Sequence, residues 1–346
     1  MEIKKFSNIR SIKKTFQQLD SQSRPFQKYD LVKNIFSFAY LVEPLLYNAK
    51  KFRKYAFYVV YEDGEAILIA PGTVGDQTFY VMGDKEWDYV DLVYKTDDLD
   101  KLSQALHFLF VHLEKYEGIK RISWRYLEEK ALSYKALLLL QEQGLKLSSK
   151  PDLSVNISLD FESHASYFDS LGKSTRQNCR TAYNRLSRDD KQYSLQMFFA
   201  DNDRNLIDDK KARRLYKKCI NLYLKRQKER YHQPIRYRLR NRFYDYATKS
   251  IPQKDGFMSV LFIDGEIAAF MLGLQDKIHD SVVVPKLAIV DNYNFYSPGL
   301  ILINETAKSL IETKRYSNID LCEGDEKYKY SMGGEEYLTY IIQLDF

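Results

Sequence analysis

The sequence predicts an α/β protein of mixed sheets, built as a tandem duplication of one unit. Three observations predict it. "FYVVYEDGEAILIAP" (Phe57 to Pro71) and "MSVLFIDGEIAAFMLG" (Met258 to Gly273) read alike, each a β-rich run, an Asp-Gly, a Glu and a second apolar run. Their turns, Asp63-Gly64 and Asp264-Gly265, lie 201 residues apart. The elements that follow each turn then come in one order.

Asp-Gly between β-rich runs is a hairpin signal, because Gly supplies the positive φ of a type I′ turn. "TFYVMGD" from Thr78 and "SVVVPKLAIVD" from Ser281 each supply a further strand. A helix follows from about Asp97 in one copy and Ser297 in the other, then short strands in "IKRIS" and "SNIDLC". The boundary falls in "LSSKPDLSVNISLD", dividing the chain into domains 1–152 and 153–346. The second copy adds a strand at Val155–Leu159, a helix over Ser174–Leu186 and a strand at Tyr193–Phe199. A long helix over Asp203–Arg226 shows an apolar stripe at Ala212, Leu215, Tyr216, Cys219 and Tyr223. Helices early and a meander later make a mixed sheet, not an alternating βαβ order.

Length and composition set the class. At 346 residues, with 45% hydrophobic and 29% charged residues, two soluble globular domains are expected. "MEIKKFSNIRSIKK" lacks the apolar core of a signal peptide, and no apolar run is long enough to span a membrane. Cys179, Cys219 and Cys322 are widely spaced, which suits a reducing cytoplasm and argues against disulfides or zinc. His107 and His112 lie off a common helix face, so no metal is expected. The abundant Tyr and Phe are read as core and surface filling. The net charge is +6, but Arg204 to Arg242 holds 15 Lys/Arg against three acids. Such a run is either a solvated helix exterior or a docking face for an anionic partner.

"NFYSPGLILINETAK" (Asn294 to Lys308) opens the second-copy helix. Ser297 suits an N-cap, Pro298 the first helical position, and Gly299 keeps side-chain bulk away from the free N–H groups. Leu300, Ile303, Ala307, Leu310 and Ile311 form the expected buried face. Such an end suits a phosphate, although a plain capped helix needs no ligand. The matched first-copy helix opens "KTDDLDKL", where Asp97 and Asp98 cap the dipole themselves and repel a phosphate.

These residues resemble the acetyltransferase-like branch of the GNAT superfamily associated with bacterial cellulose and exopolysaccharide loci, related to the Fem-type peptidoglycan aminoacyltransferases. The resemblance rests on Asp264, Gly265 and Ala268, on Ser297, Pro298, Gly299 and Leu302, and on Asp320, Gly324, Asp325, Glu326, Tyr328 and Lys329. It continues through Arg176, Asn178, Arg180 and Arg185 of "YFDSLGKSTRQNCRTAYNRL", and into the first half through "WDYVD" (Trp87 to Asp91) and "LLLLQEQG". The superfamily's pyrophosphate loop, Q/R-x-x-G-x-G/A, is absent. The resemblance implies tandem GNAT-like acyltransferase domains, the first without a phosphate loop and the second holding an acyl-CoA, another acyl thioester or an aminoacyl donor.

Acyl transfer needs the donor held, a proton removed from the nucleophile, and donors for the oxyanion. Ser297, Pro298, Gly299 and Lys329 are the candidate donor-binding residues, with strand N–H groups near Ile289 to Asp291 for the carbonyl. Glu323, Asp325 and Tyr328 are the catalytic candidates, two carboxyls to take a proton and a phenol to give one. Arg176, Arg180 and Glu326, with Asp88 and Tyr89 of the first half, are the substrate-binding candidates. A solvated turn and a solvated basic face are the alternatives. An acyl carrier protein or tRNA at Arg204 to Arg242 is the possible macromolecular partner. The function expected is acyl transfer to an amine or hydroxyl of a saccharide. A Fem-type aminoacyltransferase and a non-catalytic scaffold are kept beside it, and the lack of sustained heptads weighs against a Fem-type coiled-coil arm.

Overall fold

The computed structural model describes residues 1–34, 36, 54–83, 87–200, 206–231 and 255–346. Two compact units emerge: unit 1 comprises Met1–Leu153 with Leu338–Phe346, and unit 2 comprises Ser154–Tyr337.

In unit 1, β1 (Glu2–Phe6) lies antiparallel on β2 (Lys54–Glu62). The Asp63-Gly64 turn joins β2 to β3 (Glu65–Gly75), with φ of 50° and 83° at the two turn residues. Both positive values are what a two-residue type I′ turn requires. β4 (Thr78–Val81) pairs with the far half of β3, and β5 (Val93–Tyr94) pairs with the half nearer the turn. After α1 (Lys13–Leu19), the next labelled helix is α2 (Leu99–Glu117); it leads to β6 (Arg121–Glu128), parallel to β4. α3 (Leu132–Glu142) follows.

Unit 2 repeats this order. It opens with the end of β7 (Leu147–Ser158), α4 (His164–Ser170), α5 (Lys173–Arg188) and β8 (Tyr193–Phe199). α6 (Lys210–Tyr231) begins later than the expected Asp203. Asp209 Oδ1 caps it, accepting from the N–H groups of Lys211 at 2.7 Å and Ala212 at 2.9 Å. The stripe residues Ala212, Leu215, Tyr216 and Cys219 are buried as the periodicity predicts.

β9 (Gly256–Ile263) and β10 (Glu266–Asp276) form the second Asp-Gly hairpin, with β8 on its edge as β1 is on the first. β11 (Ser281–Ile289), α7 (Pro298–Thr313) and β12 (Asn318–Glu323) complete the repeat, with β12 parallel to β11. α7 buries Ile301, Leu302, Ile303, Ala307, Leu310 and Ile311 against the sheet, whereas Leu300 is only half-buried. Each fully buried aliphatic side chain contributes about 1.5–3 kcal/mol, which holds α7 in place.

After α8 (Lys327–Ser331) comes β13 (Gly334–Asp345), and here the domain boundary differs from a simple cut at 152/153. Thr339 to Asp345 pair antiparallel with β6, so the last nine residues of the chain complete unit 1. Ser154 to Ser158 of β7 pair with β12 and complete unit 2. Each unit is closed by the strand that follows the other copy in the sequence.

No helix among the described residues is long and apolar enough to cross a membrane. Among the same residues, no group of three or more His, Cys, Asp or Glu is placed to hold a metal ion.

Candidate active site

The parallel pairing of β11 with β12 covers Ser281/Asn318, Val282/Ile319 and Val283/Asp320, and then stops. Both strands run on. β11 continues to Ile289 along β10, and β12 continues through a bulge to Glu323, opposite Ser154. The bulge is held by Asp320, which is buried. Its Oδ1 accepts from the Cys322 N–H at 2.8 Å and its carboxylate accepts from Tyr337 Oη at 3.0 Å. Cys322 takes a φ of 61°, which turns the strand away.

An opening therefore separates the ends of two parallel strands. On the β11 side, Val290 N–H donates to Ala268 O at 2.8 Å. Ladder groups alternate in direction along an antiparallel strand, so the Leu287 and Ile289 N–H groups face away from β10. Among the described residues no strand pairs with them, and both residues are half-buried. Arg226 of α6 donates to Ile289 O at 2.8 Å and lies 3.7 Å from Asp291.

α7 begins beside this edge: a Cβ on Gly299 would stand 3.3 Å from Ile289 Cγ2. Its first turn differs from the expected phosphate cradle. Ser297 sits in the left-handed region at φ 51° and its side chain makes no cap bond. The Leu300 and Ile301 N–H groups both turn to Ser297 O, at 3.1 and 3.4 Å. Pro298 has no N–H, so Gly299 alone offers a donor in this turn.

Lys329 differs as well. It is 2% exposed, and its Nζ donates to Glu323 O at 2.7 Å, Gly324 O at 3.1 Å and Cys322 O at 3.2 Å, with Glu326 Oε2 at 3.0 Å. An ammonium so surrounded shapes the 322–324 turn rather than meeting a ligand phosphate. Glu323, Asp325 and Glu326 are exposed around it. Tyr328 is half-buried against the unit 2 core, and burial, with Glu326 and Cys322 nearby, pushes its phenol well above the usual value. It holds its proton at neutral pH and can donate it.

Arg176 and Arg180 line a separate open pocket with Asp169 and Lys173, between the end of α4 and the start of α5. Asp88 and Tyr89 belong to unit 1. Tyr89 is buried, its ring 4.5 Å from that of Phe26 and 3.6 Å from the Arg24 guanidinium, so it is packing rather than an exposed binding residue. Of the basic run, Lys210 to Tyr231 form α6 and present Lys210, Lys211, Arg213, Arg214, Lys217, Lys218 and Lys225 to solvent. Residues 232–242, with Arg204 and Asn205, lie outside the described residues.

The structure adds groups that residue identity does not advertise. The Leu287 and Ile289 N–H groups belong to a strand with no motif, and Asp320 and Tyr337 meet across 17 residues.

Residues 173–330 match the family profile of an acetyltransferase (GNAT) domain. No curated protein matches the chain in sequence. Among solved structures, the C-terminal domain assigned to a lysylphosphatidylglycerol synthetase from Agrobacterium fabrum superposes with a TM-score of 0.56 at 12% identity, covering 97% of this chain and 92% of that one. FemX gives a TM-score of 0.57 at 11% identity, covering 99% and 97%. A tandem GNAT protein from the clavulanic acid biosynthesis pathway gives 0.51 at 10% identity, covering 99% and 98%. At such identities the likeness is one of fold, and that fold is a tandem of GNAT units.

Proposed function

We propose that unit 2 transfers an acyl group from an acyl-CoA, or another acyl thioester, to an amine or hydroxyl of a sugar or cell-surface polysaccharide precursor. The opening between β11 and β12 carries this reading. It presents N–H groups at Leu287 and Ile289 that no described strand pairs with, which suit an acyl carbonyl and the oxyanion it becomes. The nucleophile attacks that carbonyl, its proton passes to Glu323, Asp325 or an ordered water, and the C–S bond then breaks. Tyr328, still protonated, returns a proton to the departing thiolate. Cys179, Cys219 and Cys322, all free and buried, fit a cytoplasmic setting.

The test is thiol release from acetyl-CoA and longer acyl-CoAs in the presence of amino sugars. Leu287→Pro removes one N–H that no described strand uses. It should lower kcat by about 10²–10³ with the fold intact by circular dichroism. Unchanged kcat in Leu287→Pro would overturn the assignment of the opening, and no thiol release with any acceptor would remove free CoA thioesters as donors.

One observation favours a second reading, aminoacyl transfer from tRNA. The start of α7 offers a single N–H, too little to cradle a pyrophosphate, while α6 turns seven cations to solvent. Under this reading α6 meets the tRNA backbone, and under a third, carrier-borne variant of the first it meets an acyl carrier protein. Transfer from charged tRNA with none from acyl-CoA would select it. Failure with every donor class would leave a scaffold that kept the fold.

A further inference from the structure

Asp169, Lys173, Ser174, Arg176, Gln177 and Arg180 line an open pocket of about 650 Å³. Positions 173, 176, 177 and 180 share one face of α5, so the helix forms a wall with the end of α4 opposite. Three cations there face one carboxylate, that of the exposed Asp169.

Arg176 is held in place. Its Nη1 donates to Asp169 O and, at 2.9 Å, to Leu171 O, which closes the C-terminal end of α4 and orients the guanidinium plane. An arginine anchored on one edge loses little side-chain freedom when its other edge takes an anion. Arg180 is exposed with its guanidinium 5.8 Å from the Phe168 ring centroid. Among the described residues no carboxylate pairs with Lys173 or Arg180.

The C-terminal end of α4 is tied to the end of α8. Leu171 Cδ2 stands 3.3 Å from where a Cβ on Gly333 would lie, and Tyr167 Oη donates to Met332 O at 2.8 Å. α8 also carries Tyr328.

Lys173 and Arg180 are seven residues apart, about 10 Å along the helix. That spacing exceeds the reach of a single carboxylate, and it suits two linked phosphates met by a fork at Arg176 and by cations at either end. We propose that the pocket between α4 and α5 binds a diphosphate group. The group comes either from a CoA-type donor or from a nucleoside diphosphate sugar acceptor. The site rests on this geometry alone, and its test requires no turnover, so its failure and that of the transferase reading are separable.

The experiment is calorimetric titration of inorganic pyrophosphate into the full chain. The expected result is saturable binding that weakens about tenfold in Lys173→Gln and in Arg180→Gln, both exposed positions, and tightens a few-fold in Asp169→Asn. Lys217→Gln, on the basic face of α6, should leave it unchanged. Competition by CoA identifies the donor as the source, and competition by a UDP-sugar identifies the acceptor. Absence of saturable binding would overturn the site. Equal weakening in Lys217→Gln would also overturn it, by showing only diffuse charge attraction.

Discussion

The two units share six elements in one order, yet they treat the same opening in opposite ways. In unit 2, β11 pairs with β10 up to Ile289 through one register shift, and beyond Val283 no strand among the described residues pairs with its outer edge. In unit 1 the matching strand is interrupted: β4 stops at Val81 and the chain returns to β3 only at Val93. Val90, between them, meets β6. Val90 N–H donates to Tyr126 O at 3.0 Å, and Trp124 Nε1 donates to Val90 O at 2.9 Å. Trp87, Tyr89 and Val90 are all buried there. Unit 1 fills its opening with its own backbone and aromatic side chains; in unit 2 no described residue does so. Both copies carry a bulge in the parallel strand, with positive φ at Tyr126 and Cys322.

The filled opening brings a half-buried acid with it, and this is the largest expected difference between the units. Asp91 accepts from Ser133 Oγ at 2.7 Å, Leu92 N–H at 2.7 Å and Tyr94 Oη at 3.0 Å. Burial nevertheless raises its carboxyl from 3.8 to about 7. Between those values the folded state keeps a proton that the unfolded chain has released. Stability of unit 1 therefore falls as pH rises through that window and levels off above it, by about 4 kcal/mol for the whole shift. Both tryptophans, Trp87 and Trp124, lie in unit 1, so their fluorescence in urea reports this unit. Asp91→Asn should flatten the dependence of the urea midpoint on pH; a wild-type midpoint already as flat as the variant's would break the contrast.

A smaller effect tests what the copies have in common. Gly72 and Gly273 hold equivalent places in the second hairpin strands, and neither has room for a side chain. A Cβ at Gly273 would lie 2.0 Å from Val283 O, and one at Gly72 would lie 2.3 Å from the Phe79 ring and 2.6 Å from Tyr80 O. Alanine at either position should cost about 3 kcal/mol, because backbone oxygens in a ladder cannot retreat. Gly72→Ala should show in tryptophan fluorescence, and Gly273→Ala in lost hydrogen-exchange protection of β10 and β11. Tolerance of alanine at one site alone would mean that the duplicated strands pack differently.

The smallest test concerns the helix starts. Asp98 Oδ1 accepts from Lys101 N–H at 3.0 Å, so Asp98→Ala should cost about 1 kcal/mol. Ser297 makes no cap bond, and Ser297→Ala should change stability by less than about 0.5 kcal/mol in the same urea titration. Equal losses would erase the distinction between a capped helix in unit 1 and an uncapped one in unit 2.

Much of the fold is legible in local sequence. Asp63-Gly64 and Asp264-Gly265 announce hairpins because the turn conformation depends on those two residues alone. The α5 stripe of Cys179, Ala182 and Leu186 announces its buried face because helical period is a property of neighbours. The edge strand β1 is harder to match to β8, since its equivalence lies in pairing with β2 and not in its residues. Ser297 reads as a cap by residue type, but the turn of Asp291–Tyr296 delivers it in a left-handed conformation that aims its hydroxyl elsewhere.

By itself, then, the sequence determined the duplication, the hairpins, the amphipathic helices and the run of cations, all set by residues within a few positions of one another. The tertiary structure decided which opening stays accessible, where the Lys329 ammonium goes and which strand closes which unit. Those outcomes depend on groups brought together from distant parts of the chain: Val90 with Tyr126, and Thr339 to Asp345 with β6. A backbone N–H such as that of Leu287 is identical at nearly every residue, and it becomes a candidate binding group only where a neighbouring strand has turned away.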